Sequence, residues 1–225
     1  MAIRVLVGCE CSQVVCSAFR SAGCEAFSCD VQDCYGGHPE WHIKADVLSV
    51  VDDTWDLFIC HPPCTYLCQL NMSIYSKFPE AAPARILDGW LAKDFFMKCL
   101  NAPVRFKCIE NPRPLRVWGL PPYSELIHPY EFGHPFKKST CLWLRNLPPL
   151  FSTDIIDHRD LPSWHDCAFS FRGSLSRGRS HTFAGIADAM AKQWLPFVLE
   201  KKIKNPFDKH SANMIQYTHQ KTNDA

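Results

Sequence analysis

The sequence predicts an α/β fold: a doubly wound, mostly parallel sheet of Rossmann-like type. Three observations predict it. Ile3–Val7, Leu57–Ile59 and Phe106–Ile109 are short apolar runs with the length of buried strands. Stretches with helical spacing, Val14–Ala22 and Ile86–Leu100, separate them, and strands alternating with helices argue for parallel pairing. The strands also stop at chain breakers or carboxylates: Gly8, Asp30, Pro62-Pro63 and Glu110-Asn111-Pro112.

Taken in order, I-R-V-L-V at 3–7 forms the first strand, and Gly8 opens a polar loop. The helix over 14–22 is closed by Gly23, a residue suited to a helix C-terminus. Ala26–Cys29 is a second short strand ending at Asp30, and C-Y-G-G-H-P at 34–39 is turn chemistry. Ala45–Leu48 leads into the strand Leu57–Ile59. Proline fixes φ and lacks the amide proton of a strand ladder, so Pro62 and Pro63 end that strand and hold Cys64 on a stiff turn. Apolar positions three and four apart make 86–100 a helix. Phe106–Ile109 and Thr140–Leu144 are further strands, and Ala184–Leu199 is a final amphipathic helix.

With 225 residues and 47% hydrophobic content, one domain with a sizeable core is expected. A net charge of +1 excludes a strong polyanion-binding field, so any nucleic-acid contact must rest on a local basic patch. Thirteen cysteines raise the possibility of a disulfide scaffold. The odd count, the length and the lack of a leader pattern point instead to a reducing, cytoplasmic setting. No apolar run approaches the ~18 to 20 residues of a membrane span, so no membrane contact is expected.

A parallel sheet brings Asp30, Cys64 and Glu110 to one edge, where open α/β sheets bind ligands. A carboxylate ending a second strand suits ribose hydroxyls. The loop Gly8-Cys9-Glu10-Cys11-Ser12-Gln13 lies where a cofactor approaches backbone amides, although it is not a G-x-G-x-x-G.

Two sequence features point further. P-P-C at 62–64, followed by I-E-N-P at 109–112, resembles the catalytic pair of the DNA cytosine-5 methyltransferases. The longer strings H-P-P-C-T-Y-L-C, F-G-H-P-F-K-K-S-T-C-L-W-L-R-N-L-P-P-L and R-S-H-T-F-A-G-I-A-D-A-M-A-K-Q-W resemble the short phage-encoded members, over roughly residues 3–195. The resemblance implies methyl transfer from S-adenosylmethionine to carbon 5 of cytosine in DNA, by a monomer. It makes Cys64 the nucleophile that adds at carbon 6, as covalent catalysis. It makes Glu110 the group that protonates ring nitrogen 3. Lys138 is the nearest basic candidate to contact the base, since the family's downstream arginine pair has no plain match. Glu10, Ser12, Asp30, Asp46 and Pro62 fall to the cofactor, with Asp30 at the ribose and Asp46 at the adenine amine.

The sequence departs from the family at the cofactor loop, here C-E-C-S-Q, and at Thr65, where glutamine is usual. By the resemblance, residues 1–149 form the catalytic and cofactor-binding unit and 150–180 a very reduced target-recognition segment. Residues 181–204 return as a helix, and 205–225 form a loose polar tail. Arg172, Arg177 and Arg179 are candidates for phosphate contact, with an ordinary solvated loop as the alternative. So short a segment implies a short recognised context. The alternatives are a cytosine nucleotide or single-stranded substrate, or a binding protein without turnover. Cys24, Cys29, Cys34, His38 and His42 have a spacing compatible with zinc but no C-x2-C pair, so no metal is expected.

Overall fold

The computed structural model describes residues 2–68, 82–164 and 182–204. Seven strands form one sheet in the order β3-β2-β1-β4-β5-β7-β6. They are β1 (Arg4–Gly8), β2 (Glu25–Asp30), β3 (His42–Lys44), β4 (Leu57–Cys60), β5 (Phe106–Pro112), β6 (Glu125–Ile127) and β7 (Thr140–Arg145). The first five are parallel, whereas β7 runs antiparallel to both β5 and β6. The doubly wound, mostly parallel α/β sheet read from the sequence is the observed architecture.

Among the described residues three α-helices cover the sheet: α1 (Val14–Ser21), α2 (Ala82–Leu100) and α3 (Ala184–Lys204). Alternation along each strand feeds two cores, one per face. Val5, Val7, Leu57 and Ile59 pack with Phe19 of α1 and Met190 and Trp194 of α3. Leu6, Phe58, Cys60 and Ile109 pack on the other face with Phe96, Cys99 and Leu100 of α2. Burial on both faces explains why these strands read as continuous apolar runs.

Two close approaches fix the helices. A Cβ on Gly89 would lie 2.0 Å from the Trp118 ring, so glycine is what lets that indole seat on α2. The far end of α3 is tied by Lys202, whose Nζ donates to Asp56 at 2.7 Å. The same carboxylate oxygen accepts from the Arg4 amide at 2.9 Å. A buried carboxylate with two donors resists loss of either partner.

The structure extends several predicted elements. The helix expected over 86–100 begins at Ala82, and the final helix continues past Leu199 to Lys204. Strand β5 does not stop at Ile109 but pairs on through Glu110-Asn111-Pro112 with β7 alone. Proline is tolerated there because that stretch has a ladder partner on only one side. Strands β3 and β6, each three residues long, escape sequence reading.

Candidate functional site

Strand β4 ends beside Gly8 and Ile109, and the amide of His61 closes its ladder by donating to the Gly8 carbonyl at 3.0 Å. Pro62 and Pro63 then carry the chain out of the sheet. Asn111 Nδ2 donates to the Pro62 carbonyl at 2.7 Å and pins this turn to β5. Cys64 opens a single helical turn, its carbonyl accepting from the amides of Leu67 and Cys68 at 3.1 Å each. That turn is braced in its own right, because the Leu115 amide donates to the Leu67 carbonyl at 2.8 Å. The predicted stiff turn at a strand end is therefore held from two sides.

Glu110 reaches the same rim because β5 outruns β4: the last parallel pair is Cys60 with Ile109. Lys138 reaches it by the opposite route. Strand β7 is antiparallel, so its first residue, Thr140, lies opposite Pro112 at the exits of the parallel strands. The cavity between these elements has a water-accessible volume of about 10 Å³, room for about one water. His61, Glu110, Lys138 and Thr140 line it from the sheet, with Phe183 and Met190 opposite.

The charges here are coupled. Burial pushes the Glu110 carboxyl up. The hydrogen bond from His61, that residue's positive charge and Lys138 outweigh burial, and the carboxyl lies below its ordinary range. The Cys64 thiol is pushed strongly upward, first by a hydrogen bond shared with Cys68, then by burial and by the negative charge of Glu110; Lys138 opposes. The resting pair is therefore a neutral thiol and an ionised carboxylate. His61 Nδ1 lies 3.0 Å from Glu110 Oε2, with the two side chains only 11% and 15% exposed. His61 Nε2 and Asn111 Oδ1 are buried without hydrogen-bond partners among the described residues.

The rim at β1 and β2 holds the residues expected at a cofactor. Asp30 ends β2, where its carboxylate accepts from the Gln32 amide at 2.9 Å. Cys11 also bonds to this carboxylate, and burial together with Asp30 pushes the Cys11 thiol up to about 12. Asp46 is exposed and caps the short 3-10 turn Val47–Ser49 through the Leu48 amide at 2.9 Å. Ser12 Oγ lies 3.3 Å from Glu10. Glu10 itself is turned inward. It is 3% exposed, and its two oxygens accept from the amides of Val15 at 2.7 Å and Cys16 at 3.1 Å. That carboxylate is committed to the start of α1, and burial raises its pKa despite the nearby His61 charge and the amide bonds.

The structure thus gathers Cys64, Glu110 and Lys138 at one end of the sheet, with the Pro62 turn beside them. Asp30, Asp46 and Ser12 lie along the rim toward β3. Arg172, Arg177 and Arg179, and the loose tail expected over 205–225, fall outside the described residues. Sequence reading assigns no role to two further side chains of this rim. Asn111 stands there only as part of the I-E-N-P string and as the end of a strand. His61 carried a usable signal, lying directly between the last residue of β4 and Pro62. Among the described residues no three His, Cys, Asp or Glu side chains gather as a metal site. His42, from the zinc-like spacing, instead lies between Ser28 Oγ and the Gln32 carbonyl, 2.9 Å from each. No described helix is long and apolar enough to cross a membrane.

No protein-family model matches the chain, and no curated protein matches it. Among solved structures it is similar to an Escherichia coli prophage protein assigned as a DNA modification methyltransferase, at 11% identity and a TM-score of 0.39. It is also similar to the Entamoeba histolytica methyltransferase EhMeth, at 14% identity and a TM-score of 0.36. Each likeness covers 77% of this chain, which spans 56% and 62% of those chains respectively.

Proposed function

We propose that the chain transfers a methyl group from S-adenosylmethionine to carbon 5 of cytosine in DNA. One observation carries the reading: a thiol, a carboxylate and an ammonium converge from β4, β5 and β7 and perturb one another's charge. Perturbed ionisable groups meeting at a sheet's carboxyl edge mark a reacting site. Cys64 adds to carbon 6 of the pyrimidine, forming a sulfur–carbon bond. Glu110 delivers a proton to ring nitrogen 3 as charge develops there. Lys138 supplies the positive field that lowers the cost of both charges. In duplex DNA the target base has to leave the stack to reach Cys64.

The rim at β1–β3 fits the cofactor in part. Asp30, at the exit of β2, has the placement for ribose hydroxyls, Asp46 lies on its outer side for the adenine amine, and Ser12 and Pro62 lie between Asp30 and the site. Glu10 does not fit, because its oxygens are held by α1. When bound, S-adenosylmethionine supplies the electrophilic methyl group. Residues 1–149 then act as the catalytic unit, with 150–180 as the recognition segment and Arg172, Arg177 and Arg179 as its phosphate contacts.

One observation favours a second reading, a binding protein without turnover: the Cys64 thiol is held protonated. Incubation with methyl-labelled S-adenosylmethionine and cytosine-containing DNA separates the two, in duplex and single-stranded arms. Label at carbon 5 with wild type and none with Cys64→Ser is expected. Equal incorporation by the mutant removes the assigned mechanism, and binding of both ligands without transfer supports the second reading.

A further inference from the structure

His61 has no part in the chemistry described so far, yet its Nδ1 lies 3.0 Å from Glu110 Oε2. Its partner Glu110 is ionised and can only accept. The proton of the 3.0 Å bond therefore belongs to Nδ1 of the imidazole. Without His61, burial of Glu110 would be opposed by Lys138 alone, and a buried carboxyl with so little support shifts toward its neutral acid. Among the described residues, the other charged or titratable groups facing the pair are Glu10 from the loop before α1, Cys64 from the turn after β4, Lys138 before β7, and the thiols of Cys108 on β5 and Cys141 on β7. The C-terminal helix contributes only the apolar Ile186 and Met190.

We propose that His61 is a positioning residue that controls the proton on Glu110, an inference that rests on the cytosine reading. When the Cys64 sulfur bonds to carbon 6, the S–H bond breaks and a ring electron pair moves toward carbon 5, placing charge on ring nitrogen 3. The thiol loses one proton and nitrogen 3 gains one. A Glu110 that starts ionised can take up the first and deliver the second, so the protons balance within the site. A Glu110 that starts neutral has no place for the thiol proton. His61 keeps it ionised, and the same bond fixes the direction of the carboxylate.

Two measurements on the full chain test this. The first is the pH dependence of single-turnover methylation for wild type, His61→Phe and His61→Asn. His61→Phe should be slower by roughly 10²-fold near neutral pH, the scale of a misassigned proton-transfer group. Its acid limb should lie at higher pH than that of wild type, because its Glu110 protonates sooner. His61→Asn can donate from nearly the position of Nδ1 but carries no charge, so its limb should fall between the two. A purely structural role predicts slower mutants with an unmoved limb, and that result overturns the proposal. The second is nitrogen-15 NMR of the His61 ring in wild type and Glu110→Ala, which needs no substrate. Nδ1 should carry the bonded proton in wild type, and its hydrogen-bonded signal should be lost in the mutant. A wild-type ring with no proton on Nδ1, or a signal unchanged in the mutant, also overturns the proposal. Failure of wild type to methylate cytosine would instead defeat the underlying reading, and the NMR result would still decide the pairing.

Discussion

The two halves of the sheet's functional rim are built differently. On the β1–β2 side the buried polar groups are satisfied. Glu10 spends both oxygens on α1. Gln13 is fully buried, receives the His38 amide at 3.0 Å and donates to the His38 carbonyl at 2.7 Å. On the β4–β5 side His61 Nε2 and Asn111 Oδ1 are left without described partners. A buried polar atom without a partner costs about 1–3 kcal/mol, and folds accept that cost at functional sites. In the first half the buried polar groups are spent within the fold, and in the second two are left over.

Substitutions should respect that division. The largest effect is expected for Cys64→Ser, which should lose methyl transfer by on the order of 10⁴-fold or more, as removal of a nucleophile does, while its urea midpoint stays near wild type. Glu110→Gln should follow, at roughly 10²–10³-fold in rate; a rate within twofold of wild type would show that nitrogen 3 is not its target. Asn111→Ala removes the donor that pins the Pro62 carbonyl. We expect about 10²-fold in rate, the effect of a nucleophile displaced by about 1 Å, with thermal unfolding showing about 1–3 kcal/mol of destabilisation.

Glu10→Gln should invert the pattern, with a small effect on rate and a measurable one on stability. The amide group can accept from only one of the two α1 amides, so about 1–2 kcal/mol should be lost at low pH, where Glu10 itself is neutral. Its pH dependence is the sharper readout. The Glu10 pKa is raised in the folded chain, so its protonated form favours folding. That contribution is fully present below about 4.5, the ordinary value, and is lost as pH rises through the folded value. Urea unfolding of wild type should show that decline, and Glu10→Gln should flatten it. A mutant that loses activity but keeps the wild-type stability profile would move Glu10 from scaffold to site.

How much of this was legible in the sequence depended on whether the signal was local. The apolar runs of β1, β4 and β7 and the helical spacing of α1 and α2 needed no distant information. The exit positions of Asp30, Cys64 and Glu110 followed once the sheet was taken as parallel. Strand β3 was not legible because three residues, His42-Ile43-Lys44, carry no run, and they pair only with the end of β2. Glu10 reads as a cofactor contact, and its role under α1 stays hidden because its bonds to Val15 and Cys16 skip four and five residues, outside the usual capping spacing. The His61–Glu110 pair joins residues 49 apart in sequence, so only the register of β4 against β5 reveals it.

The return of the chain after β7 has a further consequence. Strand β7 leaves the sheet at the end away from the reacting groups, yet the backbone doubles back. The Trp164 amide donates to the Lys137 carbonyl at 2.9 Å. The Trp164 ring meets Phe183 edge-on, with centroids 4.9 Å apart, and both touch Phe136. These three aromatic rings form a clasp next to Lys138, and the stretch carrying Arg172, Arg177 and Arg179 begins and ends at it. The clasp thereby sets Lys138 over the Phe183 ring, 5.8 Å from its centroid, so the residue ahead of β7 and the residue ahead of α3 share one support.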